Sequence, residues 1–310
     1  MAVRVELNHA STRQLDNTES RQPPQYVPPG HFYSPIPSVE DIERAIATVS
    51  ASYAGIELRE DHQLALLERL SRYYSEIPFP AEKSERFRFA FHNPSYSWGD
   101  AIILFCMIRE IKPHRILGIG SGHTSALILD TNEHYFGNGI DCTFVEPHPE
   151  LLLSLLRPNE DRGTRVIRRK LQDVDTALFD KLEAGDILFI DSSHVVKAGS
   201  DCHLLFSDVL PRLNPGTLIH FHDVFERFEY PAEWLREGRG WNEQYVLRSF
   251  LQFNSEFRIK LYSAYLITRH REWFEQHMPN CLHNTGAQIW IERTSPPGLN
   301  SSKDSRRSAS

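Results

Sequence analysis

Two short polar clusters follow apolar runs in the second half of the chain, and their side chains suit acid–base or metal chemistry. The segment "IDSSH" contributes Asp191 and His194, and "HFHD" contributes His222 and Asp223. Carboxylates and imidazoles can hold a divalent ion, and an imidazole oriented by a carboxylate can also remove a proton from a bound substrate. The sequence leaves both roles open. Because each cluster ends a predicted central strand, we expect the two to point into one crevice.

The "HFHD" spacing limits how these side chains can act together. His222 and Asp223 are adjacent, so on an extended strand they would point to opposite faces. They can face one ligand only if the strand has ended, which the following loop "VFERFEYP" favours. We expect His220, within the strand, to be a hydrogen-bonded core residue. The spacing does not supply the His-x-Asp of a facial-triad iron site.

A glycine-rich stretch, "LGIGSGHTSA" at residues 117–126, follows the first predicted strand. Gly118, Gly120 and Gly122 are predicted to form the strand-to-helix turn, where missing side chains let a ligand approach the backbone. A dinucleotide fingerprint would need its third glycine at His123, and no phosphate-binding G-x-x-x-x-G-K-[ST] motif occurs. The pattern is G-x-G-x-G, which favours an adenosine-like ligand.

Glu146 is the second feature that favours an adenosine-like ligand. It ends the second predicted strand in "TFVEPHP", 24 residues after Gly122. A carboxylate at that position can accept two hydrogen bonds from a ribose diol, as acids at this place do in nucleoside-binding α/β domains. We therefore expect a nucleoside ribose to contact Glu146.

Alternating strands and helices must position these residues. Buried-looking strands are predicted at "RILGIG", "IDCTFVEP", "TRVIRR", "DILFIDSS" and "GTLIHFHD", with helices near 122–133, 148–156, 173–183 and 200–212. Later come a helix at "EQYVLRSFLQFN", a strand at "FRIKLYSAYLI", a short helix at "REWFEQHM" and a last strand at "GAQIWIER". The pattern predicts an α/β fold, doubly wound and Rossmann-like, with a mostly parallel sheet and an antiparallel edge formed by the last strands.

The N-terminal third predicts additions to this sheet. A helix is expected from a cap at Ser38 to Gly55, and a second one follows in "EDHQLALLERLSRYYSEIPFP". We predict a disordered arm at residues 1–30, a helical cap at 31–95, the α/β domain at 96–293 and a disordered tail at 294–310. The aromatic residues of "FHNPSYSWGD" and "RFEYPAEWLREGRGWNEQY" are expected either to border the ligand or to pack the cap on the core.

Composition narrows the classes of function. The net charge of −7 argues against a nucleic-acid partner, because no Lys/Arg-rich face is present to neutralise phosphates. Four scattered cysteines without a C-x-x-C pair predict reduced thiols, and no stretch is apolar enough for a signal peptide or membrane span. We expect a cytoplasmic protein that acts on a small molecule, with a homodimer as one option for its assembly.

The chain resembles the class I S-adenosylmethionine-dependent methyltransferases. "ILGIGSGHTS" looks like their glycine-rich first motif, and "FVEP" like their ribose-binding acid. The methyltransferase domain family 24 is the most similar group, through "ILGIGSGHTSA", "LFIDSSHVVKAGSD" and "IHFHDVFERFEYP", over roughly residues 95–292. The resemblance implies a seven-stranded sheet with an antiparallel last strand. Members of that family commonly carry an acid where this chain has Gly118.

The resemblance also implies roles for individual residues. It assigns S-adenosylmethionine contacts to Gly118, Gly120, Ser121, Gly122, Glu146, Asp173 and Asp191. It implies methyl transfer to an oxygen of a small molecule (EC 2.1.1.-), for which we predict His194, His222 and Asp223 as catalytic residues. By similarity to catechol-type enzymes, Asp191, His222 and Asp223 would hold a divalent ion, Mg²⁺. A general base at His194 or His222 is the alternative mechanism.

Two other functions stay open at this stage. Gly118 in place of the acid would permit a nucleoside-binding module on the same fold that has lost catalysis. The His/Asp clusters would also suit a metal-dependent hydrolase that uses no nucleoside. Fold alone decides none of these functions. Cofactor binding would separate the methyltransferase and the nucleoside-binding module from the hydrolase.

Overall fold

The computed structural model describes residues 25–48, 52–158, 160 and 164–294. Residues 1–24 of the predicted arm and 295–310 of the predicted tail lie outside the described residues. Within the described ranges, no helix combines the length and apolar character needed to cross a bilayer.

Seven strands form one mixed sheet, which confirms the predicted α/β fold. The strand order is β3-β2-β1-β4-β5-β7-β6; β1 to β5 pair in parallel, and β7 pairs antiparallel with both β5 and β6. The strands are β1 (Arg115–Ile119), β2 (Asp141–Val145), β3 (Arg165–Ile167), β4 (Ile187–Ile190), β5 (Leu218–His222), β6 (Phe257–Tyr262) and β7 (Gln288–Arg293). The chain winds outward from β1 to β3 and returns to β4, so the switch point lies between β1 and β4.

Helices surround this sheet and connect its strands. They are α1 (Val39–Ala47), α2 (Glu60–Ser71), α3 (Trp98–Ile111), α4 (His123–Phe136), α5 (Glu150–Leu155), α6 (Asp201–Leu204), α7 (Leu210–Arg212), α8 (Ala232–Arg236), α9 (Glu243–Leu251), α10 (Ser263–Arg269) and α11 (Arg271–His277). A single π turn, Leu205–Val209, joins α6 to α7. Helix α3 is buried along most of its length, and the buried Cys106 lies within it as a free thiol.

Two elements differ from their predicted form. Residues 173–183 form short 3₁₀ segments instead of an α-helix, and their buried Phe179 and Leu182 have the i, i+3 spacing that suits three residues per turn. The predicted strand 257–267 ends at Tyr262, and its apolar continuation forms α10, because a short apolar run fits either element. The last two strands form the predicted antiparallel edge of the sheet: β7 lies between β5 and β6, and its first four residues are buried there.

The N-terminal helices are shorter than predicted. Helix α1 begins at a capping box on Ser38 but ends at Ala47, before residues 49–51, which are not described, and none of its residues is buried. Helix α2 ends at Ser71, and a 3₁₀ turn follows at Tyr74–Glu76. Helix α2 buries Leu66, Leu67 and Leu70 against the body of the protein.

A charged network joins the segment before α3 to helix α4. The Arg88 guanidinium lies 2.6 Å from Asp130, 2.8 Å from Glu133 and 2.6 Å from Glu160. The Arg88 side chain is 8% exposed and that of Asp130 is fully buried. Because an unpaired charge would be costly there, these contacts fix the segment that leads into the site.

Candidate functional site

The strand register places four candidate residues in one row across the sheet. Ile119 of β1 pairs with Val145 of β2 and Ile190 of β4, and Ile190 pairs with Phe221 of β5. The residue that follows each of these lies at the same level, which gives the row Glu146, Gly120, Asp191 and His222. This row crosses the switch point, where ligands bind in open α/β sheets.

An aromatic row lies two residues earlier on the same strands. Gly118 pairs with Phe144 and Phe189, Phe189 pairs with His220, and His220 pairs with Trp290 of β7. Side chains alternate along a strand, so this row shares the face of the candidate row. Its members form an apolar layer directly beneath the site.

The aromatic layer explains why residue 118 is a glycine. This residue lies inside β1 and not in the turn, contrary to the sequence prediction. A Cβ at this position would approach Cδ1 of Phe144 to 2.8 Å. An acidic side chain here would have to displace that ring and enter an apolar layer, so the glycine fits the packing.

His220 belongs to the same layer and corrects a second expectation. It is fully buried and stacks on Phe189 with ring centroids 4.0 Å apart. Neither ring nitrogen has a hydrogen-bond partner among the described residues, so the predicted hydrogen bonding is wrong. Burial holds the pKa of His220 well below its usual value. The residue acts as a neutral aromatic spacer.

The glycine turn between β1 and α4 brings two chain segments into close contact. Gly120 has φ +90°, and a Cβ there would lie 2.1 Å from the carbonyl oxygen of Asp191. The backbone N–H of Ser121 donates to Glu146 Oε2 at 3.0 Å, and that of His148 donates to Oε1 at 2.7 Å. Gly122 is the N-cap of α4. The turn therefore positions Glu146 and Asp191 on either side of Gly120.

Two cavities open at this turn. One, of about 420 Å³, extends toward Gln172 and Ser200; the other, of about 240 Å³, includes Ser121, Gly122 and Tyr96. Gly120, Glu146 and Asp191 line both. Asp173 is exposed and lines neither cavity, although the preceding Leu171 and Gln172 line the larger one.

The two predicted polar clusters, Asp191 with His194 and His222 with Asp223, lie in contact with each other. His194 Nε2 lies 3.4 Å from Asp191 Oδ1 and 3.5 Å from Asp223 Oδ2. His222 Nδ1 lies 3.4 Å from the same Asp191 oxygen and 3.6 Å from the same Asp223 oxygen. One atom from each of Asp191, His194 and His222 falls within 4.8 Å of the other two. We call Asp191, His194, His222 and Asp223 the His/Asp cluster.

Two further carboxylates face the outer nitrogens of the cluster's imidazoles. His194 Nδ1 lies 2.9 Å from Glu243 Oε2, and His222 Nε2 lies 3.6 Å from Asp100 Oδ2. Neither Glu243 nor Asp100 is among the site residues predicted from the sequence. The signal for Glu243 is weak, since an acid in the first turn of a helix is usual.

Burial and charge oppose each other in this cluster. Burial disfavours ionisation of Asp191, but the charge of His222 and hydrogen bonds from both imidazoles hold the pKa of Asp191 well below its usual range. Burial also acts against protonation of His194, yet hydrogen bonds to Asp191 and Glu243 raise its pKa to about 10. Despite burial, Asp223 and Asp191 raise the pKa of His222, while burial raises that of Asp223. The carboxylates thus favour positive charge between them.

The backbone turns sharply at two members of the cluster. His194 has φ +58° and Asp223 has φ +55°, both in the left-handed region. Strand β5 ends at His222, so the turn at Asp223 lets both side chains face the same point. The strand has therefore ended where His222 and Asp223 need it to end if both are to face one ligand. The backbone oxygen of His194 accepts hydrogen bonds from the N–H groups of Asn242 and Glu243.

Aromatic residues close over the cluster from two sides. The Trp241 ring lies 4.5 Å from that of His194, and Trp234 packs edge-on against Trp241 at 5.3 Å. Tyr96 lies 5.0 Å from the His222 ring, and its buried hydroxyl has no partner among the described residues. Upstream, Trp98 stacks on Phe91 at 4.3 Å, so it packs the N-terminal segment against the core.

The chain is similar to several known proteins. The profile of a family described as methyltransferase domain matches residues 117–224. An uncharacterized protein of Archaeoglobus fulgidus is 30% identical over 165 residues, which cover 50% of this chain and 73% of the relative. An SAH-bound methyltransferase of Podospora anserina is 15% identical, covers 83% of this chain and 97% of its own, and has a TM-score of 0.41. A DUF574 family protein of Streptomyces avermitilis is 12% identical, covers 63% and 80%, and has a TM-score of 0.38.

Proposed function

We propose that this chain, whose residues 117–224 match the profile of a methyltransferase domain family, transfers a methyl group from S-adenosylmethionine to an oxygen of a small molecule. The observation that carries the proposal is the position of Glu146. Its carboxylate lines both cavities beside the close approach of Gly120 to Asp191. A nucleoside ribose is the group that an acid at this strand end usually binds.

The cavities suit the two ends of this cofactor. In the smaller one, the buried Tyr96 hydroxyl and Ser121 Oγ have no hydrogen-bond partner among the described residues. Unpartnered buried hydroxyls favour a polar ligand group, because each gains a hydrogen bond when the group enters. The larger cavity, with Gln172 and Ser200 on its wall, has room for a nucleoside. Asp173 remains a proposed contact only if its exposed side chain turns inward on binding.

The reaction needs little from the protein beyond positioning and removal of one proton. S-adenosylmethionine supplies a methyl group already activated by its sulfonium. The acceptor oxygen must lie in line with that methyl group, because alignment of the reactants is the main catalytic contribution. The hydroxyl proton passes to the carboxylate of Asp223, whose pKa is raised by burial, because the raised pKa values of His194 and His222 keep both imidazoles protonated. His194, His222 and Asp223 are thus the proposed catalytic groups, with the two imidazoles positioning the acceptor. The Trp241 and Tyr96 rings limit access of water to this position.

Mg²⁺, which similarity to catechol-type enzymes implies, does not fit this cluster. Mg²⁺ binds oxygen ligands at about 2.1 Å in near-octahedral geometry. Two of the four groups here are imidazole nitrogens, and each of these imidazoles turns its other nitrogen toward a carboxylate. The proposed reaction therefore does not depend on Mg²⁺.

Cofactor binding tests the proposal directly. We would titrate S-adenosylmethionine and S-adenosylhomocysteine by calorimetry into wild-type protein and Glu146→Gln. Loss of a charged hydrogen-bond acceptor costs about 1.5–3 kcal/mol, which corresponds to roughly a 10- to 150-fold weaker Kd. The matched control is Asp141→Asn, which neutralises an exposed acid at the opposite end of the same strand and should leave Kd unchanged.

The outcomes separate the parts of the proposal. If wild-type protein binds neither molecule, the cofactor assignment is wrong. If Glu146→Gln and Asp141→Asn bind alike, the ribose contact is wrong. The cofactor could bind while phenol, catechol and sugar acceptors gain no methyl group. If nitrogen acceptors are methylated instead, the assignment of an oxygen acceptor is wrong.

A further inference from the structure

Three aromatic rings form a partial box beside the His/Asp cluster. The Trp234 ring is nearly perpendicular to that of Trp241, at 82° with centroids 5.3 Å apart. The Tyr230 ring is at 72° to that of Trp241, with centroids 6.1 Å apart. Trp241 also contacts the cluster, since its ring lies 4.5 Å from that of His194. We call Tyr230, Trp234 and Trp241 the aromatic cage.

A cation of the protein itself occupies this cage. The guanidinium carbon of Arg239 lies 3.9 Å from the centroid of the Trp234 ring and 5.1 Å from that of Trp241. Both distances are within the roughly 6 Å over which the face of a ring attracts a positive charge. The cavity that remains among these residues measures about 10 Å³, which is room for at most one water molecule. The cage therefore accepts a cation, and Arg239 closes it to any ligand while it stays there.

Only weak contacts hold Arg239 in this position. Its side chain is 33% exposed, and its one ion pair among the described residues is with Glu237, 2.8 Å away and 56% exposed. Because Glu237 is two positions away along the chain, Arg239 can keep this partner when its guanidinium leaves the rings. The flanking residues are Gly238, with φ +76°, and Gly240, with φ +64°. Glycines on both sides let the backbone turn, so the side chain can move into solvent at small cost.

The charge of the neighbouring cluster favours a cationic ligand. Four carboxylates lie 2.9–3.6 Å from the nitrogens of two imidazoles. The group therefore carries net negative charge even with both imidazoles protonated. The charge stays negative when Asp223, whose pKa burial raises, binds a proton. A positive group in the adjacent cage is attracted to this charge, and an anion is repelled.

From these contacts we infer that the aromatic cage binds an alkylammonium group of the methyl acceptor, and that this group displaces Arg239. A compact alkylammonium presents positive charge on every side, which suits rings that meet nearly at right angles, whereas the planar guanidinium lies close to one ring only. That the group belongs to the acceptor rests on the proposed function. Binding of an alkylammonium by the cage does not.

Choline binding tests the cage without any methyl transfer. Choline chloride would be titrated into the protein at constant ionic strength, in the absence of S-adenosylmethionine, with tryptophan fluorescence as the signal. The matched probe is 3,3-dimethylbutan-1-ol, which has the shape of choline without its charge. We expect saturable binding of choline and at least 10-fold weaker binding of the neutral probe.

Variants connect the signal to the cage and to Arg239. Arg239→Ala should bind choline roughly 5- to 30-fold tighter, the equivalent of about 1–2 kcal/mol for a guanidinium held by two rings. Adding Trp234→Leu to Arg239→Ala should reverse most of that gain, because one wall of the open cage is lost. Adding Trp273→Leu instead, at a partly buried tryptophan of α11, should leave the affinity unchanged.

Methyl transfer then tests the class of acceptor. Hydroxylated alkylammonium compounds would be compared with their neutral isosteres in the presence of S-adenosylmethionine. We expect at least 10-fold higher kcat/KM for the cations, and Trp234→Leu should raise KM for them with little change in kcat.

The outcomes separate this inference from the proposed function. Choline binding no tighter than that of the neutral probe overturns the cage, and so does a folded Arg239→Ala variant with wild-type affinity. Normal cofactor binding in a protein that does not bind choline removes the cage and leaves the proposed methyl transfer intact. Choline binding in a protein that does not bind the cofactor removes the acceptor assignment and leaves the cage.

Discussion

Gly120 is the position at which one added methyl group should damage the site most. An alanine Cβ there would lie 2.1 Å from the carbonyl oxygen of Asp191, and the backbone has φ +90°. The oxygen cannot move freely, because the N–H of the same residue is bonded to Ile119 at 2.9 Å. The left-handed backbone costs alanine about 1–2 kcal/mol, and relief of the clash costs about 1–3 kcal/mol more. Gly120→Ala should therefore lose about 2–5 kcal/mol of unfolding free energy.

The neighbouring glycines provide the controls for this variant. At Gly122 the backbone is extended, and a Cβ would meet only the flexible end of Leu151 at 3.0 Å. At Gly118 it would meet the Phe144 ring at 2.8 Å. We expect the unfolding midpoints in urea to fall most for Gly120→Ala and least for Gly122→Ala, and only Gly120→Ala to lose cofactor binding. Equal midpoints and affinities for the Gly120 and Gly122 variants would refute the reasoning.

Three further substitutions probe the frame around the site, each by urea unfolding. Arg88→Met leaves the buried Asp130 with only the more distant Arg157, 3.8 Å away, as a counter-charge and should cost about 3–5 kcal/mol; a loss below 1 kcal/mol would mean that Arg157 is sufficient. Glu43→Gln breaks an exposed pair with Arg236 and should leave the midpoint unchanged, since such pairs contribute little. Tyr96→Phe removes a buried hydroxyl that has no partner among the described residues, so stability should hold or rise, and a clear loss would contradict that description.

The sheet and the convergence of its polar clusters could be predicted because both depend on local patterns. Apolar runs at the strands and glycines at the first turn predict a parallel sheet, and parallel strands bring their carboxyl ends to one edge. Glu146, Asp191 and His222 follow three such runs directly, so their common row results from strand register alone.

Other features depend on contacts that sequence spacing does not encode. Glu243 reaches His194 across 49 positions of chain, and Asp100 reaches His222 from the start of α3. Gly118 could not be explained without the Phe144 ring that covers it. The apolar run that becomes β6 and then α10 has no periodicity that separates strand from helix. These are properties of packing between distant elements.

The left-handed backbone at Asp223 has a consequence for how this sequence can drift. A non-glycine residue in that conformation carries strain of about 1 kcal/mol, and burial of its carboxyl group adds to the disadvantage. Selection for stability alone should therefore favour Asp223→Gly, whereas selection for function should retain the acid. A library at this position, sorted once by protease resistance and once by activity, should yield opposite enrichments. Among related sequences, an acid at this position would then indicate active enzymes, and a glycine would indicate proteins that keep the fold without catalysis.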